Sequence, residues 1–100
     1  MTTLRRCEHL DLVQRVAPSS WGCTDCLAAG HRGWVHLRLC MTCGHVGCCD
    51  SSPRRHARAH FLLAGHPIVR SYEPGERWFY CYADDLMFEV EGAPPSASHP

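Results

Sequence analysis

Cysteine and histidine residues recur along this chain at spacings that are typical of metal ligands. Two pairs of cysteines are each separated by two residues, Cys23 with Cys26 and Cys40 with Cys43. A tight turn of this kind directs both sulfurs at one ion from about 2.3 Å. His56 and His60 lie four residues apart, so one helix would present both imidazoles from the same face. These spacings predict tetrahedral zinc sites.

Twelve residues in all are candidate ligands: Cys7, His9, Cys23, Cys26, Cys40, Cys43, Cys48, His56, His60, His66, Cys81 and Asp84. Four ligands complete a closed structural zinc site, so the set predicts three zinc ions. A disulfide framework is the alternative for eight cysteines. The first residues include no apolar stretch resembling a signal peptide, and no later segment has transmembrane length. We therefore expect a reducing cytoplasm, free thiols and no membrane partner.

The same histidines could belong to a hydrolytic enzyme, because zinc proteases use a His-Glu-x-x-His motif. Here Ala57 occupies the position of the glutamate that activates water. The chain also contains no lysine, which excludes Schiff-base chemistry and a lysine general base. We expect a protein that is not an enzyme.

Charge and composition restrict the class of partner. The formal net charge is 0, and all ten basic residues are arginine. A balanced chain offers no global field that attracts nucleic acid. The absence of both lysine and asparagine is typical of a GC-rich genome, from which we expect a bacterial source. Nucleic acid is therefore not the expected partner, and we expect a monomer.

The helices and strands that position the ligands are predicted from the periodicity of apolar residues and from helix-capping and turn residues. Residues 34–39 alternate, which predicts a strand with Val35, Leu37 and Leu39 on one face. Ser52 is a suitable N-cap, Pro53 fits the first helical position, residues 54–64 are mostly helix formers, and Gly65 can end the helix. Further strands are predicted at 68–72, 77–82 and 86–90, with a turn at 73–76.

These elements predict a small α+β zinc-stabilised domain, in which a short antiparallel sheet packs against one main helix. Three cross-braced zinc sites would support it, because a chain of this length needs metal to supplement its core. We expect the domain to cover residues 1–91. Residues 92–100 lack large apolar side chains and are predicted to be a disordered tail.

The ordered motifs resemble a known family, the ubiquitin-binding UBP-type zinc fingers of deubiquitinating enzymes and of a cytoplasmic histone deacetylase. The resemblance covers nearly the whole chain. It rests on Cys7-x-His9, the two Cys-x-x-Cys pairs, Cys43-Gly44-His45-Val46-Gly47-Cys48, His56-x3-His60, Gly65-His66-Pro67 and Trp78-x2-Cys81-Tyr82. The chain is similar to a stand-alone member of that family.

The resemblance implies how the ligands divide. One ion would be bound by Cys23, Cys26, Cys48 and His56, and another by Cys40, Cys43, His60 and His66. The third would use Cys7, His9 and Cys81. Its fourth ligand is a cysteine in the family, and here Asp84 occupies that position, with Asp85 as a neighbouring substitute. A carboxylate oxygen can bind zinc at about 2.0–2.2 Å.

The resemblance also implies a binding pocket. In the family an arginine clamps the carboxylate of the free C-terminal Gly-Gly tail of ubiquitin. That position is Asp50 in this chain, and Arg38 stands where the family has a tryptophan. Tyr80 and Tyr82 are retained, and Met87 replaces a further tyrosine. The predicted peptide-binding residues are Arg38, Asp50, Tyr80 and Tyr82. We expect them to recognise a terminus of a protein or peptide partner, and binding of a ubiquitin tail is expected to be lost.

Three interpretations of Asp50 stay open: Arg38 supplies the cation instead, Asp50 selects an amine or amide, or Asp50 only forms a cap or turn before the helix.

Two other functions are alternatives. Nucleic acid could bind Arg54, Arg55 and Arg58, with Trp21, Trp34 and Tyr72 as exposed aromatic residues. A thiol switch could use Cys49, although we expect neighbouring Asp50 to raise the pKa of that thiol.

Overall fold

The computed structural model of this protein describes residues 16–31 and 33–90. Its strands are β1 (Leu37–Cys40), β2 (Val46–Cys48), β3 (Ile68–Ser71), β4 (Trp78–Cys81) and β5 (Leu86–Glu89), and its helices are α1 (Thr24–Ala28) and α2 (His56–Ala64). The strands form one sheet in the order β2-β1-β3-β4-β5, and every neighbouring pair is antiparallel. The predicted α+β class is confirmed, with two helices in the described residues where one main helix was expected.

The sheet separates a buried face from the face that lines the pocket described below. Leu37 and Leu39 are 1% and 7% exposed and pack in the core, whereas Arg38 between them is half-buried. Successive side chains of a strand point to opposite faces, so Arg38 is directed away from the core. The prediction that Val35 shares the buried face is wrong: β1 begins at Leu37, and Val35 is 52% exposed.

Helix α2 begins later than predicted. Ser52 is buried, and its Oγ accepts a hydrogen bond from the backbone N–H of Val35 at 2.8 Å, so it is not available as a helix cap. The N-cap residue is Arg55, with a left-handed φ of 46° and no side-chain cap. The predicted end is confirmed, since Gly65 adopts φ 73° and its N–H donates to the carbonyl of Phe61.

The short elements were not predicted, whereas the later strands were. Helix α1 has five residues and β2 has three, too few for a periodic pattern. The strands predicted at 68–72, 77–82 and 86–90 each match the observed strand to within one residue at either end. The turn between β3 and β4 has Gly75 at φ 81°, and the N–H of Glu76 donates to the carbonyl of Glu73.

Helix α2 packs directly on β2 at Gly47. A Cβ atom at Gly47 would lie 2.7 Å from the backbone nitrogen of Ala57 and 2.8 Å from its Cα. Only glycine permits this approach of helix to strand. The contact fixes the helix that carries His56 and His60 against the strand that ends at Cys48.

Some predictions concern residues outside the described ranges. Cys7 and His9 lie there, as does the predicted tail at 92–100. The domain boundaries therefore stay a prediction. Within the described ranges, neither helix is long and apolar enough to cross a membrane.

Candidate metal centres and the adjacent pocket

Four side chains converge between α1, the end of β2 and the start of α2 to form the first metal cluster: Cys23, Cys26, Cys48 and His56. The Nδ1 atom of His56 lies 3.2, 3.3 and 3.6 Å from the Sγ atoms of Cys23, Cys26 and Cys48. Backbone N–H groups support the sulfurs, with Cys26 donating to Cys23 Sγ and His56 to Cys48 Sγ. All three cysteines are buried.

A second cluster joins the turn after β1 to α2 and to the residue beyond its end: Cys40, Cys43, His60 and His66. The Sγ atoms of Cys40 and Cys43 lie 3.7 Å apart. Cys43 Sγ is 3.3 Å from His60 Nε2, and Cys40 Sγ is 3.6 Å from His66 Nδ1. The structure thus brings together the two sets of four that the family resemblance implied.

Both clusters fit zinc. At the usual Zn–S and Zn–N distances, a tetrahedral ion separates two sulfurs by about 3.8 Å and a sulfur from a nitrogen by about 3.6 Å. The observed separations of 3.2–3.6 Å for S···N and 3.7–4.0 Å for S···S are close to these values. None of the seven described cysteines forms a disulfide. Three sulfurs with one nitrogen, and two with two, are donor sets of closed structural sites.

The thiols need a cation to ionise. Burial raises the pKa of the Cys23 thiol to about 12, and burial also raises the pKa of Cys26 and Cys40. Burial lowers the pKa of His60, which keeps the imidazole neutral and free to act as a ligand. When bound, zinc supplies the positive charge that holds the thiolates deprotonated.

The third predicted set is only partly described. Cys81 is fully buried beside Ile68 and Phe79. Asp84 is exposed. Asp85, the possible substitute ligand, instead accepts a hydrogen bond from the hydroxyl of Tyr80. Because Cys7 and His9 lie outside the described residues, the third zinc ion stays a prediction.

His45 links the two clusters. Its Nε2 lies 3.0 Å from Asp25 Oδ2, and Asp25 stands between the ligands Cys23 and Cys26. Its ring also stacks on that of His60, with the centroids 4.2 Å apart. His45 therefore acts as a supporting residue beside both sites.

A pocket opens beside the metal centres, on the sheet face opposite the core. Its lining consists of Arg38, Asp50, Trp78, Tyr80, Tyr82 and Met87. All four predicted peptide-binding residues therefore share one cavity. We call it the terminal pocket. Trp78 was not predicted to line it. The alternation of Trp78 and Tyr80 along β4, with Tyr82 just beyond the strand, would have indicated that all three side chains share one face.

Helix α2 holds one wall of the terminal pocket. The ring of Tyr82 stacks on that of Phe61 with the centroids 5.3 Å apart, and meets Tyr80 edge to face at 5.2 Å. The guanidinium carbon of Arg58 lies 4.9 Å from the Tyr82 ring centroid. Because Phe61 and Arg58 belong to the helix that carries two metal ligands, the same element builds the metal centres and the pocket.

The two charged groups at the pocket, Asp50 and Arg38, differ in the contacts that their side chains make. Asp50 forms a two-point ion pair with Arg58, which raises the pKa of the arginine. Arg38 lies 4.5 Å above the Trp78 ring and donates one hydrogen bond, from Nη1 to the carbonyl of Leu37. Within residues 16–31 and 33–90, Arg38 has no carboxylate partner. Asp50 lies in a turn before α2, as one interpretation predicted, but it does not cap the helix, and its side chain is paired with Arg58.

The structure weakens the evidence for the two alternative functions, nucleic-acid binding and a thiol switch. Of the three aromatic residues expected to be exposed, only Trp21 is, at 45%, whereas Trp34 is half-buried against it and Tyr72 is buried. Cys49 is buried. The expectation that Asp50 raises its pKa is wrong: burial raises it, but hydrogen bonds from Ser52 and from backbone N–H groups outweigh burial and lower it. The low accessibility of this thiol argues against an oxidant sensor.

Comparison with known proteins agrees with these features. No curated protein matches the chain. The solution NMR structure of protein RPA1320 from Rhodopseudomonas palustris is 46% identical in sequence and superposes with a TM-score of 0.82. The match covers 98% of this chain and 97% of that chain. The family model described as "Zn-finger in ubiquitin-hydrolases and other protein" matches residues 23–92, which include both clusters and the terminal pocket. The chain therefore belongs to the zf-UBP family of zinc fingers.

Proposed function

We propose that this zinc finger is a non-catalytic module that recognises the free carboxylate at the C-terminus of a peptide or protein. Arg38 in the terminal pocket is the observation that carries the proposal. It is a permanently charged group set against an aromatic ring, and among the described residues its side chain donates only to the carbonyl of Leu37. The two clusters have complete sets of four protein ligands, so their zinc ions would be structural.

Asp50 does not prevent this function, because Arg58 already neutralises its charge. A free aspartate would repel a carboxylate, whereas a paired one presents a nearly neutral rim. The same pairing disfavours recognition of an amine or guanidinium, since a cationic ligand would have to compete with Arg58 for Asp50. Arg38 is therefore the better candidate for the charged contact.

The size of the pocket favours a chain end with small residues. Its volume is about 150 Å³. Sites for drug-sized ligands are typically about 300–1,000 Å³. A terminal Gly-Gly segment is a suitable probe, and the walls formed by Trp78, Tyr80 and Tyr82 would pack against its backbone.

The test is an NMR titration of the isotope-labelled, zinc-loaded protein. One peptide ends in a free Gly-Gly carboxylate, and its control is the same peptide with an amidated end. We expect selective shifts of the Arg38 and Tyr82 amides and of the Trp78 indole with the free acid only. Equal responses to both peptides, or no response to the acid, would exclude the proposal.

A further inference from the structure

A second surface lies on helix α2, away from its metal ligands. Arg54, Arg55, Arg58, Ala59 and Leu62 line an open groove of about 280 Å³. Residues three or four apart lie on one face of a helix, which accounts for the alignment of Arg55, Ala59 and Leu62. We call this surface the α2 groove.

Positive charge at one end of the α2 groove is not balanced within the described residues. Arg54 and Arg55 are exposed, and their side chains form no hydrogen bond or ion pair in residues 16–31 and 33–90. The first turn of α2 contains no acidic residue. The helix N-terminus adds partial positive charge at the same place.

The other end of the α2 groove is apolar. Leu62 is 70% exposed although it is large and hydrophobic, and Ala59 lies beside it in the groove. An exposed leucine alone needs no explanation, but here it adjoins two unpaired arginines. The combination presents charge and an apolar contact within about two helical turns.

We infer that the α2 groove binds an acidic peptide segment, with carboxylates at Arg54 and Arg55 and an apolar side chain against Leu62. The inference rests on the proposed function in one respect: the segment would precede the C-terminus that enters the terminal pocket. Arg58 joins the two surfaces, since it lines the α2 groove and its guanidinium lies over Tyr82 in the terminal pocket.

Nucleic acid is the competing ligand for an arginine-lined groove. No aromatic side chain lines this groove among the described residues, so it has no platform on which bases could stack. Arg58 is committed to Asp50, which leaves two arginines for a polyanion, and the chain has net charge 0. The apolar end contributes to binding a peptide and not to binding phosphates. An acidic peptide is therefore the favoured occupant.

The experiment uses fluorescein-labelled peptides with the zinc-loaded full chain in low salt. Each peptide has an Asp-Glu-Leu-Glu segment, a Gly-Ser spacer of two, four or six residues, and a Gly-Gly end. Matched versions replace the segment by Asn-Gln-Leu-Gln, or amidate the end. Fluorescence anisotropy gives Kd for every combination. Burial raises the pKa of Cys26 and the charge of Arg54 opposes that rise, so zinc content is measured for each variant.

With the best spacer, the acidic segment should bind about tenfold more tightly than its neutral version. This difference should disappear in the double variant Arg54→Gln/Arg55→Gln and persist in Arg77→Gln, a change at an exposed arginine outside the groove. Leu62→Ser should weaken binding about threefold. Leu63→Ser is the matched control, because Leu63 is 89% exposed and does not line the groove.

The outcomes separate the two proposals. A preference for the acidic segment without a preference for the free end would support the groove and contradict the terminal pocket. Equal binding of acidic and neutral segments, or equal losses in Arg77→Gln and the double variant, would overturn the groove. Tighter binding of oligothymidine than of the acidic peptide, with dependence on the same arginines, would also overturn it in favour of nucleic acid.

Discussion

Arg58 Nη2 lies 2.6 Å from Asp50 Oδ2, and Arg58 Nε contacts both carboxylate oxygens at 2.9 and 3.1 Å. The carboxylate at the edge of the terminal pocket is thus bound by a guanidinium of this same chain. A ligand carboxylate would find Arg38 available and Arg58 occupied. Asp50 acts as an internal competitor for the second arginine.

Asp50→Asn should therefore tighten binding of a free Gly-Gly acid by about threefold to tenfold, because it removes a negative charge and releases Arg58. The matched variant Arg58→Gln should weaken binding, because it leaves Asp50 unpaired. Both groups are exposed, at 45% and 39%, so either change should alter the free energy of unfolding by less than about 1 kcal/mol. Calorimetric titration and chemical unfolding measure the two effects. Equal affinities for both variants would contradict the account.

The contact at Gly47 should determine whether α2 can hold its ligands in place. Gly47→Ala would force a Cβ against the Ala57 backbone, and we expect it to cost about 1–3 kcal/mol of unfolding free energy. Gly33→Ala is the control, since a Cβ at Gly33 would meet no atom of the described residues within 4 Å. Thermal denaturation of the zinc-loaded proteins compares them. Similar melting temperatures for the two variants would show that the close contact is not essential.

Neighbouring cysteines should differ sharply in metal binding. Cys48→Ser should lose one zinc ion, because Cys48 Sγ belongs to the first cluster. Cys49→Ser should retain every ion, because Cys49 contacts Ser52 and belongs to neither described cluster. Native mass spectrometry counts the ions. Loss of zinc from Cys49→Ser would assign that thiol a ligand role that the structure does not give it.

Metal removal should abolish both the fold and the pocket. Structural zinc in small domains contributes on the order of 10 kcal/mol or more, which exceeds the usual stability of so small a core. Chelation at neutral pH should collapse the dispersion of amide resonances, and restoring zinc should recover it. A chelated protein that keeps its dispersion would mean that the sheet is stable without metal.

The number of zinc ions that each protein binds tests whether the third site exists. The untreated protein should carry three ions, and Asp84→Ala should carry two. Asp85→Ala should retain three, because Asp85 is engaged by the Tyr80 hydroxyl. A count of two in the unaltered protein would limit the metal to the clusters built from Cys23 to His66.

The metal clusters could be predicted from the sequence because ligand spacing is local. Cys-x-x-Cys fixes two sulfurs within one turn, and His-x3-His fixes two imidazoles on one helical face. The distribution of ligands between ions is a tertiary property, and only family resemblance supplied it. The later strands were also predictable, because each is bounded by turn residues such as Gly75.

Features that depend on which of several possible groups a side chain contacts in the folded chain could not be predicted. Ser52 has the right chemistry for a helix cap, but the folded chain uses its hydroxyl to bind the N–H of Val35. Asp50 next to a cysteine suggests a raised thiol pKa, yet hydrogen bonds to Cys49 reverse the shift. Asp50 and Arg58 are eight positions apart in the sequence, and no short motif specifies the conformation of the loop between Asp50 and α2.

A double-mutant cycle on the zinc-loaded protein measures whether Arg38 binds the free carboxylate of the peptide. Four dissociation constants are measured, for the unaltered protein and Arg38→Gln, each with the free-acid and the amidated Gly-Gly peptide. We expect a coupling of about 1.5–3 kcal/mol, with the preference for the acid lost in the variant. A preference for the acid that persists without Arg38, or no preference in the unaltered protein, would contradict it.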